Sequence, residues 1–556
     1  PPMEGVDNAS AKAADQVPIS RRNFIELCDR LTLEDEQQFE DLWRALGLSV
    51  DWSLTYRTID ATSRRTAQLA FLRNLARGEA YQAQAPSLWD VTFRTAVAQA
   101  ELEDKEQPGA MHRIVFRRPD GSAVEVDTTR PELIGADVAL VAHPDDSRYA
   151  DLIGTTVTTP VFGAEIPVHA HHLAQIDKGT GIAMVSTWGD LTDVTWWRDL
   201  QLPARAIIGR DGRILADPEA LEHFTEAGRA AYGEIVGLTP FSARKRMVEL
   251  LREAGELIGE PTPLVHPVKF FEKGDKPLEV ISTRQWYVAN GARDEALRAR
   301  LIEAGKKIAF HPDHMRVRYE NWIGGLTGDW LISRQRFFGV PIPVWYRIDE
   351  QGERGEVLVP DEASLPVDPS TDVPAGFTED QRGVPGGFEG DHDIMDTWAT
   401  SSLTPQIAGG WADDPELFDL VFPFDLRSQG QDIIRTWLFS TVLRAELESG
   451  TVPWGNAGIS GFIVDPDRKK MSKSKGNVVT PAAMLDEHGS DAVRYWAASS
   501  RLGSDAAFDP QNPKLMKIGR RLAIKVLNAA KFVHGFEASP DTMPTRPLDL
   551  DPLAEL

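Results

Sequence analysis

The chain has 556 residues, of which 42% are hydrophobic and 26% are charged, with a formal net charge of −24 and one cysteine, Cys28. This length exceeds what one hydrophobic core can hold and predicts about three domains. A single cysteine excludes a disulfide framework and a cysteine-based zinc site, and it favours a reducing cytosol. No apolar run reaches the roughly eighteen residues of a membrane span, so we expect a cytoplasmic protein without a membrane partner.

Two helices are predicted near the N-terminal end. An apolar stripe that includes Phe39 and Trp43 follows the acidic pair at 34–35 and stops at Gly47. This pattern predicts a helix that begins near residue 34 and packs its stripe. A second helix is predicted from about Thr62 to Gly78.

A β-rich inserted domain is predicted from about His112, where short strands alternate with Gly and Pro turns. Three polar segments stand out in it: the run DTTRPE at 127–132, Gly179 to Gly181, and the run DLTD at 190–193. Each alone is typical of an ordinary strand or solvated turn. An amphipathic helix from Ser242 to about Ala254 is predicted to close the insertion.

Three polar segments follow the return strands, which are predicted between His266 and Trp286. They are WLISRQ at 330–335, Asp396-Thr397-Trp398, and Gly430-Gln431-Asp432. Glycine permits close approach of a backbone to a ligand, and a carboxylate accepts hydrogen bonds from ribose hydroxyls. The third segment contains both of these residue types, and an arginine such as Arg334 is of the type that binds phosphates.

The stretch from Ile459 to Pro481 predicts a strand, an Asp-Pro-Asp turn, a cationic loop and a helix with Thr480 as its N-cap. The loop carries Lys470, Ser472, Lys473 and Ser474. Lysine is a compact cation, so such a loop is suited to neutralising the charge that develops on a departing pyrophosphate.

The acidic net charge argues against nucleic-acid binding through overall charge, because affinity for a phosphate backbone comes from local Lys and Arg contacts. One basic segment is present, since 514–536 contains no acid and its apolar residues recur at helical spacing. We expect one face of this helix to pack and the other to be basic. The candidate phosphate contacts on it are Lys514, Lys517, Arg521 and Lys525.

These segments, above all the run KMSKS at 470–474, resemble the class I aminoacyl-tRNA synthetases of the valine, isoleucine and leucine subgroup. The run GQDIIRTW at 430–437 favours the valine branch. The resemblance implies an α/β fold with a Rossmann-like catalytic core that is incomplete at its N-terminus, an inserted β-rich editing domain and the start of an α-helical C-terminal domain. Met184 departs from the family pattern, because valine enzymes commonly have lysine there, and Ser460 stands where many relatives have histidine.

The same resemblance implies that the chain is divided into four parts. Residues 1–110 would be the helical remainder of the first catalytic half, and 111–261 the editing domain. Residues 262–508 would be the second catalytic half with the signature loop, and 509–556 the start of the tRNA-stem and anticodon-binding domain. We expect both ends to be incomplete, since the family's His-Ile-Gly-His motif is absent before residue 19.

The implied reaction is ATP-dependent activation of valine to an adenylate, followed by transfer to the tRNA for valine, with Mg²⁺ accompanying ATP, no zinc, and a monomeric enzyme. By the same resemblance Lys470, Lys473, Ser472 and Ser474 are catalytic. Gly430, Asp432 and Lys473 bind ATP and the adenylate. Asp396 and Trp398 wall the amino-acid pocket, and Arg334 joins the basic helix in contacting tRNA.

The inserted domain is expected, on this resemblance, to hydrolyse mischarged threonyl-tRNA with Thr128, Thr129, Arg130, Asp190 and Asp193. Asp193 would face solvent and hold the substrate's ammonium group, the threonines would position water, and Arg130 would grip the terminal adenosine. Two alternatives remain open. One is an isoleucyl- or leucyl-tRNA synthetase, and the other is a tRNA-binding or deacylating module without activation activity.

Overall fold

The computed structural model describes residues 19–471 and 480–536, in which helices and strands alternate along the chain. This mixture confirms the predicted α/β class. Three large hydrophobic clusters hold the described part together. One lies mainly in the inserted domain but also includes Trp89 and Ile281 from outside it, and the other two lie around the sheets of the remaining chain. No helix within the described ranges is long and apolar enough to cross a membrane.

The N-terminal part contains α1 (Arg21–Ala45), α2 (Ala61–Ala76), β1 (Ala80–Asp90) and β2 (Thr95–Ala96). The predicted start of α1 near residue 34 was wrong, because the Ser20 side chain caps the helix by accepting the Asn23 N–H. Its apolar stripe packs only in part, because Leu46 lies against a buried cluster that includes Met484, whereas Phe39 is 58% exposed. The prediction for α2 was confirmed: Asp60 caps its start, and Gly78 follows its end with a φ of 74°.

The inserted domain contains β3 (Leu102–Arg117), β4 (Ala123–Thr128), β5 (Asp137–Ala142), β6 (Thr156–Thr158), β7 (Glu165–Ala170), β8 (Ile182–Ser186), α3 (Leu191–Asp199), α4 (Glu226–Gly233), α5 (Pro240–Glu253) and β9 (Thr262–Phe271). Six strands lie in the order β4-β3-β6-β7-β5-β8, and β9 pairs with β3. Every residue of β5 is buried. The β-rich insertion and its closing helix α5, which buries Met247 and Leu251, were therefore predicted correctly.

Strands β3 and β9 form a long antiparallel ribbon that connects the insertion to the rest of the chain. Their pairing runs from Leu102 opposite Phe271 to Met111 opposite Thr262. The predicted limits of the insertion, 111 and 261, lie at one end of this ribbon. The division of the chain into four domains stays a prediction.

The remaining elements are β10 (Glu279–Val288), α6 (Glu295–Lys307), β11 (Ala309–His311), α7 (Arg316–Gly324), β12 (Trp330–Leu331), β13 (Ser333–Arg334), β14 (Trp345–Ile348), β15 (Arg354–Leu358), β16 (Phe388–Gly390), β17 (Ile394–Met395), α8 (Thr397–Ser401), α9 (Thr404–Ala408), α10 (Pro415–Val421), β18 (Phe424–Gly430), α11 (Phe439–Ser449), β19 (Trp454–Ser460), β20 (Ile463–Val464), α12 (Ala482–His488), α13 (Ser490–Ala498), β21 (Ala506–Ala507) and α14 (Lys514–His534). Two sheets matter for the sites. One has the order β12-β10-β1-β2, and the other is the parallel sheet β11-β19-β18.

Two helix predictions in the C-terminal part were only partly correct. Pro481, rather than Thr480, is the N-cap of α12, and no side chain of the described residues caps this end. Helix α14 forms as predicted, but only Met516 and Gly519 are buried on it, and Phe532 is 70% exposed. Its apolar stripe is therefore largely uncovered by the described residues.

Candidate functional site

The carboxyl ends of the parallel strands β18 and β19 meet at one edge of their sheet, where Gly430 pairs with Ser460. A cleft of about 470 Å³ opens at this edge, and its lining includes His311, Gln429, Gly430 and Ser460. Open α/β sheets bind ligands outside the carboxyl ends of their strands. The fold thus brings the predicted Gly-Gln-Asp segment to the edge where a nucleotide would be expected.

The Asp432 side chain folds back against Gly430. A Cβ atom on residue 430 would lie 2.5 Å from Oδ1 of Asp432, well inside van der Waals contact. The Asp432 side chain is exposed and makes no hydrogen bond or ion pair with the residues that the structure describes. Its carboxylate is consequently free to accept hydrogen bonds from a ligand.

Gln429 is a polar residue of this cleft that the sequence reasoning missed. It is 7% exposed, and neither its amide nitrogen nor its amide oxygen has a hydrogen-bond partner among the described residues. Such buried, unpartnered groups are costly and call for a ligand or water. A glutamine directly before the Gly-Gln-Asp segment was the available signal, but its burial depends on the strand pairing.

The residues next to the signature loop form a short hairpin. The predicted turn is present, since the Arg468 N–H donates to the Asp465 carbonyl at 2.9 Å, and Val464 forms a bridge with Lys470. The Lys470 ammonium lies 5.0 Å from the centre of the Phe462 ring. The other predicted loop residues, Ser472, Lys473 and Ser474, lie outside the described residues.

One carboxylate joins this hairpin to the Gly-Gln-Asp segment. Oδ1 of Asp505 accepts hydrogen bonds from the Phe462 N–H at 2.9 Å and from the Gln431 side chain at 3.1 Å. Gly461 permits the close approach, because a Cβ there would lie 2.2 Å from the Ser504 backbone. The strand that leads to the loop is thereby fixed relative to Gly430.

Asp396 and Arg334, which were assigned to different roles, form one buried ion pair. Their atoms Oδ2 and Nη2 are 3.1 Å apart, and Arg334 also pairs with Glu101 at 2.7 Å. The Arg334 side chain is 6% exposed. The expected tRNA contact of Arg334 is therefore corrected, because both carboxylates occupy the guanidinium and burial keeps it from a phosphate at the surface.

The Asp396 carboxylate is held from three sides. Besides Arg334, the Trp330 indole N–H donates to it at 3.0 Å and the Trp398 backbone N–H at 3.1 Å. Burial raises the pKa of Asp396, and the Arg334 charge opposes that rise. Asp396 therefore orients the start of α8, and Trp398, which is half-buried, follows it directly. A role of either residue in an amino-acid pocket stays a prediction.

The second group of predicted residues comes together in the inserted domain. Thr128 is buried at the end of β4, and its Oγ1 accepts the Arg130 backbone N–H at 3.0 Å. The Arg130 guanidinium donates to the Gly189 carbonyl at 3.1 Å. The Gly189 N–H in turn donates to Oδ2 of Asp193 at 2.8 Å. Residues far apart in sequence thus form one continuous hydrogen-bonded unit.

Arg130 was expected to grip a tRNA end, but carboxylates of the protein already hold it. Its Nε donates to Glu132 at 3.0 Å and its Nη2 to Glu279 at 2.8 Å. Burial alone lowers the pKa of Arg130, but the charges of Glu279 and Glu132 outweigh it and raise the pKa. These contacts fix the guanidinium within the protein, and its expected grip on the terminal adenosine stays a prediction. Thr129 is half-buried beside it.

Asp193 was expected to face solvent, and this was wrong, because it is only 8% exposed. It lies in the first turn of α3, which Asp190 caps by accepting the Thr192 and Asp193 N–H groups. Burial raises the pKa of Asp193 well above its usual range, and the charges of Asp190 and Asp137 add to the rise. A buried carboxylate with like-charged neighbours is suited to binding a cation.

The basic residues of α14 remain available for contact. Lys514, Lys517, Arg521 and Lys525 are all exposed. Their contact with tRNA stays a prediction. No cluster of three or more His, Cys, Asp or Glu side chains that could hold a metal ion occurs within 19–471 and 480–536.

A parallel sheet that carries a segment such as Gly430-Gln431-Asp432 at the carboxyl ends of its strands is typical of nucleotide-binding α/β enzymes. A family model described as tRNA synthetases class I (I, L, M and V) matches residues 5–509, so the chain belongs to this family. The resemblance identified from the sequence motifs is thereby confirmed.

Relatives of this chain include three proteins named valine–tRNA ligase. The one from Leifsonia xyli subsp. xyli is 70% identical over 100% of this chain and 65% of its own length. That from Thermobifida fusca is 66% identical over 98% of this chain and 62% of its own length. That from Salinispora arenicola is 61% identical over 97% of this chain and 63% of its own length. The chain thus spans less than two thirds of the length of these relatives.

A solved LeuRS–tRNA–LeuAMS complex from Agrobacterium radiobacter K84 is a more distant match. It covers 95% of this chain and 69% of that chain, with 16% identity and a TM-score of 0.46. A structural similarity this low says nothing about the functional sites of this chain.

Proposed function

We propose that the protein containing this chain attaches valine to its tRNA through a valyl-adenylate. The observation that carries the proposal is the 70% identity, across the whole chain, to a protein named valine–tRNA ligase. The sheet edge at Gly430 supports it, because a cleft, the exposed Asp432 carboxylate and the strand that leads to the lysine-bearing loop are neighbours there.

In the proposed first step the valine carboxylate attacks the α-phosphorus of ATP, and the bond to pyrophosphate breaks. Asp432 accepts hydrogen bonds from the ribose hydroxyls, and the unpartnered Gln429 amide adds a further hydrogen bond. Lys470 and Lys473 stabilise the charge that develops on pyrophosphate. Mg²⁺ enters with ATP as part of the substrate. In the second step a hydroxyl of the tRNA's terminal adenosine attacks the adenylate carbonyl and AMP leaves.

Pyrophosphate exchange into ATP tests this assignment in the protein that contains this chain. Valine should support exchange far better than isoleucine or leucine at the same concentration. Exchange that depends on isoleucine or leucine would favour the other branches of the subgroup. Absence of exchange together with hydrolysis of an aminoacyl-tRNA would favour a deacylating module.

We further propose that the inserted domain hydrolyses threonyl-tRNA made in error. A hydrophobic pocket sized for valine rejects the nearly isosteric threonine only weakly, so a second, hydrolytic site is useful. The observation that carries this proposal is the Gly189 peptide, fixed between Arg130 and Asp193. Asp193 would hold the substrate's ammonium group. The Thr128 hydroxyl accepts one N–H from Arg130, so its own proton is available to orient a water.

Loss of the ester bond from threonyl-tRNA and valyl-tRNA tests this second activity. Threonyl-tRNA should be hydrolysed and valyl-tRNA spared. Asp193→Ala should slow hydrolysis by roughly ten- to a hundredfold, because a charge-assisted hydrogen bond contributes about 1.5–3 kcal/mol. Equal rates for Asp193→Ala and the unaltered protein would exclude this role of Asp193.

A further inference from the structure

A carboxylate from outside the inserted domain reaches its candidate deacylase site. Glu279 is the first residue of β10, in the sheet β12-β10-β1-β2, and it lies opposite Trp89 of β1. Its side chain is buried, at 8% exposure. Oε2 of Glu279 accepts a hydrogen bond from Nη2 of Arg130 at 2.8 Å. The contact therefore joins a strand of the catalytic core to a residue of the insertion.

The Arg130 guanidinium has one protein partner on each of its three nitrogens. Nε contacts Glu132, Nη1 contacts the Gly189 carbonyl and Nη2 contacts Glu279. Glu132 is fully buried and is itself held by Arg244 at 2.7 and 2.9 Å. The donors of a guanidinium are fixed in one plane, so contacts that hold two of its nitrogens also fix the position of the third. Two carboxylates thus determine where Nη1 lies.

The Gly189 peptide connects the Arg130 guanidinium to the Asp193 carboxylate. Its carbonyl accepts from Arg130, and its N–H donates to Oδ2 of Asp193 at 2.8 Å. A Cβ on residue 189 would lie 2.5 Å from the same Oδ2 atom, which shows how closely the carboxylate is seated. Movement of the guanidinium would consequently move the carboxylate that is proposed to hold the substrate.

We propose that Glu279 is a positioning residue of the deacylase site, supplied by the catalytic core, and that it acts through Arg130 and Gly189 on Asp193. This inference rests on the proposed hydrolysis of threonyl-tRNA. Glu132 is less suited to testing it, because Glu132 also anchors Arg244 and its loss would disturb the packing of α5. Glu279 has no other ion pair among the described residues.

The test compares Glu279→Ala, Glu279→Gln and the unaltered protein that contains this chain. Single-turnover hydrolysis of threonyl-tRNA should fall by about ten- to a hundredfold in Glu279→Ala, because a misplacement of about 1 Å costs that much. The KM for threonyl-tRNA should change less than the rate. Glu279→Gln should recover most of the rate, since its amide oxygen still accepts the Arg130 hydrogen bond. Valine-dependent pyrophosphate exchange should be unaffected in both variants.

Asp104→Ala is the matched control. Asp104 forms an exposed ion pair of 2.9 Å with Lys269 across the ribbon that joins insertion and core, but it does not touch Arg130. Its loss should leave hydrolysis unchanged. Normal hydrolysis by Glu279→Ala, or a parallel loss of hydrolysis and exchange, would overturn the positioning role alone. If the unaltered protein does not hydrolyse threonyl-tRNA, the proposed deacylase function itself is wrong.

Discussion

Replacing Asp193 by asparagine should stabilise the protein while impairing hydrolysis. The carboxylate is buried in the first turn of α3, and its pKa is raised by burial and by the charges of Asp190 and Asp137. Its ionised form therefore costs folding free energy. Asparagine has nearly the same shape and carries no charge, and its oxygen still accepts the Gly189 N–H.

The size of both effects follows from these contacts. Removing a destabilising functional charge commonly gains about 0.5–2 kcal/mol, which corresponds to roughly 1–8 °C in the unfolding temperature of a domain of about 150–250 residues. An ammonium paired with a carboxylate gains about 1–2 kcal/mol more than one bound to a neutral amide, so hydrolysis of threonyl-tRNA should slow by roughly 5- to 30-fold.

The pH dependence follows from the raised pKa of Asp193. The folded state binds this proton more tightly than the unfolded state, so the unaltered protein loses stability as pH rises through the folded pKa. The difference in unfolding free energy between Asp193→Asn and the unaltered protein should therefore disappear at low pH, where the Asp193 carboxyl group is neutral. Hydrolysis by the unaltered protein should fall as the pH decreases through the folded pKa of Asp193, whereas the variant should lack this decline.

Thermal unfolding followed at several pH values, together with loss of the threonyl ester, measures both effects. Asp199→Asn is the matched control, because it makes the same chemical change at the other end of α3 in an exposed carboxylate paired with Arg198. The control should hydrolyse normally and gain no stability. If Asp193→Asn unfolds at a lower temperature, or hydrolyses threonyl-tRNA at the normal rate, this reasoning about Asp193 is refuted.

Three further substitutions test other parts of the sites. Gly189→Ala should reduce threonyl-tRNA hydrolysis about as much as Asp193→Ala, since the added Cβ would meet the Asp193 carboxylate; a normal rate would contradict the geometry. Asp432→Ala should lower valine-dependent exchange by roughly ten- to a hundredfold through loss of charge-assisted hydrogen bonds to ribose, whereas Asp419→Ala on α10 should not. Lys473→Ala should slow adenylate formation by about a hundred- to a thousandfold with valine affinity retained. An equal loss of affinity would argue against a role confined to the transition state.

Local patterns in the sequence were sufficient for several elements. Helix α2 begins after the Asp60 cap and ends before Gly78, and the Asp-Pro-Asp turn forms the hairpin at Arg468. Both features could be predicted because they depend only on neighbouring residues. The family also followed from a short run of residues at 470–474. The start of α1 was missed, because an acidic pair inside a long helix was interpreted as its first turn.

The environment of each charged side chain was decided only by the tertiary structure. Arg334 was assigned to tRNA, yet it pairs with Glu101, 233 positions away, and with Asp396. Arg130 is held by Glu279, 149 positions away, and Asp193 is buried rather than exposed. A residue's type specifies its charge, but its partners, its exposure and its pKa depend on which distant segments pack against it. Sequence motifs therefore identified which residues to consider, whereas folding determined which of them are free to meet a ligand.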